Sequence, residues 1–182
     1  MGQDAEDHAD GEHHDEHSAP NEGVSREWLD ERGPSRLVGV NSVLERLMPL
    51  WTQPVDAQPD PLAAFGAVYA DPVLVNGTEL ALTSLVGRAR ALQQAFAGLN
   101  MKILDVVEAP GRVVVAFLMR GRHIGPFASL VGTIEPTHRD IEVRTIDVLA
   151  LTTDEVISAI WVVSDELGLL HQLGYLLTRR AE

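Results

Sequence analysis

The 182-residue sequence contains no cysteine, so disulfide bonds and thiolate metal sites are excluded. Basic residues are also scarce, since 14 Lys and Arg stand against 27 Asp and Glu for a formal net charge of −13. Affinity for nucleic acids rests largely on Lys and Arg that neutralise phosphates. Here the arginines form only short pairs, Arg88 with Arg90 and Arg120 with Arg122. We therefore expect no nucleic-acid partner.

Long hydrophobic runs are missing as well. No apolar stretch approaches the roughly 18 residues of a membrane span, and the N-terminal letters M-G-Q-D-A-E-D show no basic and apolar secretory signal. A cytoplasmic protein without a membrane partner is expected. A glycine-rich phosphate loop, a nucleophile elbow and an H-E-x-x-H motif are also absent, which argues against nucleotide-binding, serine-hydrolase and zincin functions.

The negative charge is concentrated at the N-terminus. Residues 1–32 carry eleven acids and two arginines, whereas the rest of the chain carries sixteen acids and twelve bases. Residues 1–35 have almost no large apolar side chains, a composition typical of disorder. We predict an acidic, His-rich disordered tail over 1–35 and one domain over 36–182, because this length supports one full core.

The tail also contains a histidine cluster, formed by His8, His13, His14 and His17. In a helix, His13 and His17 would lie on the same side at i,i+4 spacing. Gly11, Pro20 and the surrounding acids oppose a preformed helix there, and His-rich tracts are compositional signals only. We predict no dedicated metal site.

Hydrophobic periodicity predicts the secondary structure. The predicted helices are Leu37–Trp51, Leu62–Tyr69, Ser84–Leu99 and Leu167–Leu176. The predicted strands are Pro72–Val75, Met101–Glu108, Arg112–His123, Ile141–Thr152 and Val156–Val163. Helices followed by a run of strands indicate an α+β fold with helices packed on a curved antiparallel sheet. Such a sheet encloses an apolar pocket, a common place for small ligands.

Four motifs occur in a fixed order along this pattern. They are W-x-x-P at 51–54, F-x-x-V-Y-A-D-P-V at 65–73, G-R-H-I-G-P-F at 121–127 and W-x-x-x-D-x-x-G-L-L-x-Q-L-G at 161–174. Together, over residues 43–176, they resemble the SnoaL-like polyketide cyclase family, which includes proteins called predicted ester cyclases. The resemblance implies the nuclear transport factor 2-like fold, a cone of curved sheet and helices around a deep apolar pocket.

The resemblance also implies a function. Characterised family members close a ring in an aromatic polyketide ester by intramolecular aldol condensation without a cofactor, and an acidic residue in the last-strand motif acts as acid/base. The chain would then be a cofactor-independent enzyme of polyketide or ester cyclase type, acting on an apolar carbonyl substrate with Asp165 as acid/base. A homodimer formed through the open sheet face is a further expectation from the family.

Asp165 has two interpretations. It follows an apolar, β-branched run and precedes a leucine-rich helix, so it is a favoured helix N-cap. A carboxylate facing an apolar pocket would instead have a raised pKa and serve as general acid or base. The sequence leaves both open.

The other candidate site residues follow from the same motifs. His123 is predicted to assist catalysis by hydrogen bonding, since a neutral imidazole both donates and accepts. Asn76, Trp161 and Phe127 are the predicted substrate contacts, although Asn76 also fits an N-G turn and Trp161 also fits the core.

Two further functions remain open. One is a non-catalytic pocket protein that binds an apolar small ligand, with Asp165 acting only as a cap. The other is an isomerase or epoxide-hydrolase-like activity on the same fold. Epoxide hydrolysis would require Asp147, Arg144 or Asn76 to point inward and position a water.

Overall fold

The structure, a computed structural model, describes residues 40–175, with side chains from residue 42 onward. The predicted tail over 1–35, its histidine cluster and the proposed domain boundary at residue 36 lie outside the described residues. Within that range, no helix is both long and apolar enough to cross a membrane.

Four α-helices are present in the described part of the chain: α1 Val40–Thr52, α2 Pro61–Gly66, α3 Leu82–Ala95 and α4 Glu166–Gln172. A single 3₁₀ turn, Val55–Ala57, follows α1. The start of α2 is fixed by Asp60, whose carboxylate accepts a hydrogen bond from the Ala63 N–H, and by Pro61 in the first turn, where its missing N–H costs nothing.

The strands form one large sheet and one small hairpin. The strands are β1 Tyr69–Val75, β2 Thr78–Leu80, β3 Phe96–Ala109, β4 Arg112–His123, β5 Phe127–Ser129, β6 Gly132–Ile134, β7 Asp140–Leu151 and β8 Ile157–Ser164. Six of them lie in the order β2-β1-β8-β7-β4-β3, while β5 and β6 pair with each other. All neighbours are antiparallel except β1 and β8, which run parallel.

The large sheet is curved, and its inner face holds the core. Register shifts interrupt the β3–β4 pairing between Ala97 and Asn100 and again between Ile103 and Asp105. Such bulges bend a strand and increase its twist. One buried cluster joins α1, α2 and α3 to the inner side of the sheet. A second joins α4 and the end of α3 to β6 and the start of β7.

Strand β7 shows the alternation that places the site. Its odd-numbered residues from Ile141 to Leu149 are buried, while Glu142 and Arg144 are exposed on the other face. Ile141 and Val143 belong to the second cluster and Leu149 to the first. Thr145 and Asp147, buried between these apolar residues, are therefore polar groups at the junction of the two clusters.

The predicted fold class is confirmed, but β2 and the β5–β6 hairpin were not predicted, and three further points differ. Tyr69 opens β1 and does not end a helix, and α3 stops at Ala95 because Phe96 already has the extended dihedrals of β3. The β1–β8 pairing is parallel, although an antiparallel sheet was predicted. By contrast, β4 has the predicted bounds, and β7 and β8 differ from prediction by one residue at each end.

Candidate active site

An apolar cavity of about 200 Å³, partly open to solvent, lies between the inner face of the sheet and the helices α1 and α3. Leu44, Leu47 and Met48 form its helical wall, and Val115, Phe117 and Ile160 form part of its sheet wall. Only a few polar side chains reach it. Apolar concave sites with a small number of placed polar groups are the usual form of a small-molecule site.

Asp147 is the one carboxylate in the wall of this cavity. Its side chain is 7% exposed, and its Oδ1 atom has no hydrogen-bond partner within the described range. Burial disfavours the charged form and raises the pKa of Asp147 from 3.8 to about 7. The carboxyl group is thus able to release and accept a proton near neutral pH, which is what a general acid/base requires.

A phenol lies on the same cavity wall. The Tyr69 hydroxyl accepts a hydrogen bond from the Trp51 indole N–H at 2.9 Å, so its own O–H proton remains available for donation. Burial raises the pKa of Tyr69; the Trp51 hydrogen bond lowers it, and the nearby Asp147 carboxylate raises it further. Tyr69 therefore keeps its proton at neutral pH and acts as a donor.

Two hydroxyl groups complete the polar lining. The side chains of Thr145 and Ser164 lie on paired positions of β7 and β8, and their oxygens are 3.1 Å apart. Thr145 is two residues from Asp147, so the alternation of β7 places both side chains on the inner face.

The predicted catalytic aspartate, Asp165, occupies a different environment. Its carboxylate caps α4 by accepting a 2.8 Å hydrogen bond from the Gly168 N–H, and the side chain is exposed. A Cβ at position 168 would collide with that carboxylate, which explains the glycine in D-x-x-G. Asp165 does not line the cavity that holds Asp147. The geometry supports the capping interpretation, and a catalytic role for Asp165 stays a prediction.

His123 is fully buried but is not part of the cavity wall. Its ring lies between Phe96 and Phe127, with centroids 5.2 Å and 6.5 Å away, and its Nδ1 accepts a hydrogen bond from the Thr137 N–H at 3.1 Å. Burial lowers the pKa of His123, the backbone of Gly125 opposes that shift, and His138 adds to it. The structure does not bring His123 together with Asp147 or Asp165 around one cavity.

None of the three predicted substrate contacts lines the cavity of Asp147. Asn76, which has φ of 49°, binds the backbone of β8: its side-chain N–H donates to the Val162 carbonyl and its oxygen accepts from the Val162 N–H at 2.7 Å. Trp161 lies on β8 with 56% of its surface exposed and does not line the cavity. Phe127 lines a neighbouring apolar pocket. Their roles as substrate contacts stay predictions.

Sequence patterns alone did not identify Asp147 and Tyr69 as the principal polar groups of the cavity. The signal was the alternation I-x-V-x-T-x-D-x-L over 141–149, which puts Asp147 on the same face as three core residues. It is ambiguous because Ile146 and Val148 make the opposite face of β7 apolar as well. No group of three His, Asp or Glu side chains able to hold a metal ion is found among the described side chains.

Comparison with known proteins gives a family and a fold. A family model for SnoaL-like polyketide cyclases matches residues 55–173. No curated protein matches the sequence. The chain is similar in structure to TsrD from Streptomyces laurentii, with a TM-score of 0.64, 19% identity, and coverage of 75% of this chain and 96% of that one.

Two other solved structures are similar. A SnoaL-like polyketide cyclase from Agrobacterium tumefaciens aligns with a TM-score of 0.58 and 16% identity, over 74% of this chain and 94% of that one. A protein with a ketosteroid isomerase-like fold from Catenulispora acidiphila, in complex with trimethylamine, aligns with a TM-score of 0.54 and 15% identity, over 72% and 92%. At these identities the likeness shows the fold alone, which is the nuclear transport factor 2-like cone expected from the motifs.

Proposed function

The chain belongs to the SnoaL-like polyketide cyclase family, and on that premise we propose that it is an acid/base enzyme in which Asp147 moves a proton on an uncharged, apolar carbonyl compound. The observation that carries the proposal is the Asp147 carboxyl group, buried and without a hydrogen-bond partner for Oδ1 in an otherwise apolar cavity. An unsatisfied buried polar atom in a native site requires an explanation, and a substrate C–H or O–H group supplies one.

The proposed reaction uses the protein's own side chains. The Asp147 carboxylate removes a proton from the carbon next to the carbonyl, and the electron pair of that C–H bond moves onto the carbonyl oxygen to form an enolate. In a cyclisation, the enolate carbon then attacks a second carbonyl carbon of the same molecule and forms the new C–C bond. The resulting alkoxide takes the proton back from Asp147, which restores the carboxylate.

Tyr69 is proposed to stabilise the enolate. The Trp51 N–H already donates to the phenolic oxygen, so the Tyr69 O–H is free to donate to the oxygen on which negative charge develops. A donor fixed in place in an apolar, water-poor site stabilises such charge more strongly than water does. The packing of the Tyr69 ring against Phe65, with centroids 6.1 Å apart, holds it in position.

The test is hydrogen exchange on β-tetralone, an uncharged apolar ketone with acidic C–H bonds next to its carbonyl. Replacement of these hydrogens by deuterium in D₂O is followed by proton NMR. We expect acceleration by the wild-type protein and a loss of about a hundredfold or more in Asp147→Asn, because the amide keeps the shape but cannot take the proton.

Asp165→Asn is the matched control, since it alters the aspartate that caps α4 and should leave the exchange rate unchanged. An unaltered rate in Asp147→Asn would contradict the proposal. A loss confined to Asp165→Asn would assign the acid/base role to the aspartate predicted from the sequence. β-Tetralone affinity is measured for each variant, so that a change of binding is separated from a change of chemistry.

A non-catalytic ligand carrier is the second candidate, because the cavity wall is almost entirely apolar. In that case wild-type protein binds β-tetralone without accelerating exchange. An isomerase would use the same first proton transfer and return the proton to a different carbon. Epoxide hydrolysis has less support, because Arg144 is exposed on the outer face and Asn76 is bonded to the backbone of β8.

Self-association and a cytoplasmic location complete the proposal. The outer face of the sheet exposes Ile146, Trp161 and Val163 from the neighbouring strands β7 and β8. We propose that a second copy of the chain covers this face, in agreement with the expected homodimer. The cytoplasm is the proposed compartment because the chain has no cysteine and so forms no disulfide that would need an oxidising compartment.

A further inference from the structure

A second apolar pocket of about 300 Å³ adjoins the cavity of Asp147. It lies under the β5–β6 hairpin, and its walls come from Phe96, Phe127, Leu169 and Leu170 among others. The two spaces have wall residues in common: Leu92 of α3, Met119 of β4 and Ser164 of β8. Because three elements contribute to both walls, the two spaces lie side by side.

The size of the cavity of Asp147 also indicates that a ligand would use both spaces. Sites that bury a small organic ligand usually measure roughly 300–1,000 Å³. The cavity of Asp147, at about 200 Å³, is below that range, whereas the two spaces together fall within it. A ligand of ordinary size with its carbonyl at Asp147 therefore exceeds this cavity, and the neighbouring pocket offers apolar space for the remainder.

We propose that this pocket is a second binding subsite, which takes an uncharged hydrocarbon extension of the molecule whose carbonyl lies at Asp147. The inference rests on the function proposed above and specifies the substrate class: a carbonyl compound with an aliphatic or aromatic arm. The arm passes Met119 and Ser164 and packs against Phe127 and Leu170.

The charge around the pocket determines the kind of arm. Its nearest ionisable group is Glu166, an exposed residue in the first turn of α4. A carboxylate at the end of the arm would meet this like charge, and the apolar walls would desolvate a charge of either sign, so a neutral end is favoured. Leu130, at the tip of the β5–β6 hairpin, lines the pocket and is 85% exposed. The arm would cover this apolar side chain.

The hairpin itself is held in one conformation. Ser129 Oγ donates to the Gly132 carbonyl at 2.8 Å and accepts from the Val131 N–H at 3.3 Å. Ala128 of β5 is exposed and contributes to the pocket wall from the solvent side, so a large side chain there should cover the pocket. Ala128 lines the pocket and Val131 does not, although both lie in the hairpin segment. This difference provides a blocking variant and a matched control.

The experiment measures dissociation constants for para-alkyl acetophenones, from methyl to hexyl, by isothermal titration calorimetry. In the wild type we expect the dissociation constant to fall by about fourfold for each added methylene, until the pocket is full. Ala128→Trp should abolish that dependence while the methyl compound binds as before. Val131→Trp should retain the wild-type dependence. Affinity that does not change with chain length in the wild type, or the same dependence in Ala128→Trp, would overturn the subsite.

A second measurement needs no variant. A hexyl probe with a diazirine at the end of its chain is photolysed in the wild-type protein, and the labelled peptides are mapped. Labels on 127–130 or on Leu169 and Leu170 support the subsite; labels only on α1 or on the outer face of the sheet contradict it.

The chain-length dependence of the dissociation constant should survive in Asp147→Asn, so absence of catalysis and absence of the subsite are distinguished.

Discussion

Asp147 lies within β7 and Asp165 directly follows the paired strand β8, yet the two aspartates have different surroundings. Asp165 has the Gly168 N–H as a hydrogen-bond donor and is exposed to solvent. Asp147 is surrounded by apolar side chains, and its Oδ1 has no donor among the described residues. Because desolvation acts on the charged form only, the buried residue holds its proton to a higher pH. The surroundings, and not the residue type, decide which aspartate suits proton transfer.

This difference makes the stability of the protein depend on pH. Burial raises the pKa of the Asp147 carboxyl group from 3.8 to about 7 in the folded protein. Its contribution to the free energy of unfolding is therefore complete below pH 3.8 and is lost as the pH rises through about 7. Asp147→Asn removes this loss. Relative to the wild type, we expect its free energy of unfolding to increase by on the order of 3 kcal/mol between about pH 4 and pH 8.

Urea denaturation at the two pH values checks this prediction. Asp165→Asn is measured alongside as a variant that leaves the buried carboxyl group of Asp147 in place. If the free energies of unfolding of wild type and Asp147→Asn differ by the same amount at both pH values, the Asp147 carboxyl group has the same pKa in the folded and unfolded protein. The buried, partner-free environment described above would then be wrong.

At the scale of elements, hydrogen bonds at both ends fix α4, the helix that follows β8. Asp165 caps its first turn. Gln172, near its end, accepts from the Glu142 N–H at 2.8 Å and donates to the Glu142 carbonyl at 2.9 Å. Gln172 of the Q-L-G motif thus ties α4 to β7. Both ends of α4 are fixed by hydrogen bonds, while Asp147 and Tyr69 reach the cavity from β7 and β1.

The cap gives a prediction of its own. Asp165→Ala should lower the free energy of unfolding by about 1 kcal/mol, because the Gly168 N–H loses its acceptor. Asp165→Asn should lower it less, since the amide oxygen still accepts. Thermal and urea unfolding provide the values, and β-tetralone exchange is measured in the same samples. Unchanged stability with lost exchange in Asp165→Ala would contradict the assignment of Asp165 as a cap.

Local sequence patterns predicted most elements because strands such as β4 are bounded by turn residues. The errors have physical causes. Apolar Phe96 continues the helical pattern of α3, so nothing local indicates that it begins β3. The parallel pairing of β1 with β8 joins segments far apart in the chain and depends on the sheet as a whole. The face of Asp147 was undecided because Ile146 and Val148 make both faces of β7 apolar.

At the scale of the whole molecule, the curved sheet has two apolar faces. The inner face is covered by the helices and encloses the cavity. The outer face exposes 48% of Ile146, 56% of Trp161 and 66% of Val163. Adjacent exposed apolar side chains on neighbouring strands are typical of association surfaces. The proposed dimer would cover this face and leave the inner one to the ligand.

Trp161→Lys tests the proposed dimer. At micromolar concentration, light scattering should give twice the chain mass of 19.8 kDa for the wild type and the single mass for the variant, since a desolvated charge opposes association. Leu62→Lys is the control, because Leu62 is also an exposed apolar residue, at 45%, but lies on α2. A monomeric wild type, or a dimer that persists in Trp161→Lys, would contradict the proposed interface.

The most direct test of the central claim is the rate of β-tetralone exchange as a function of pH in the wild type, Asp147→Asn and Asp165→Asn. If the Asp147 carboxylate removes the proton, the wild-type rate rises with pH through about 7 and then levels off. The same curve is expected for Asp165→Asn, and buffer-level exchange for Asp147→Asn. Exchange that persists in Asp147→Asn with the wild-type pH dependence would show that another group moves the proton.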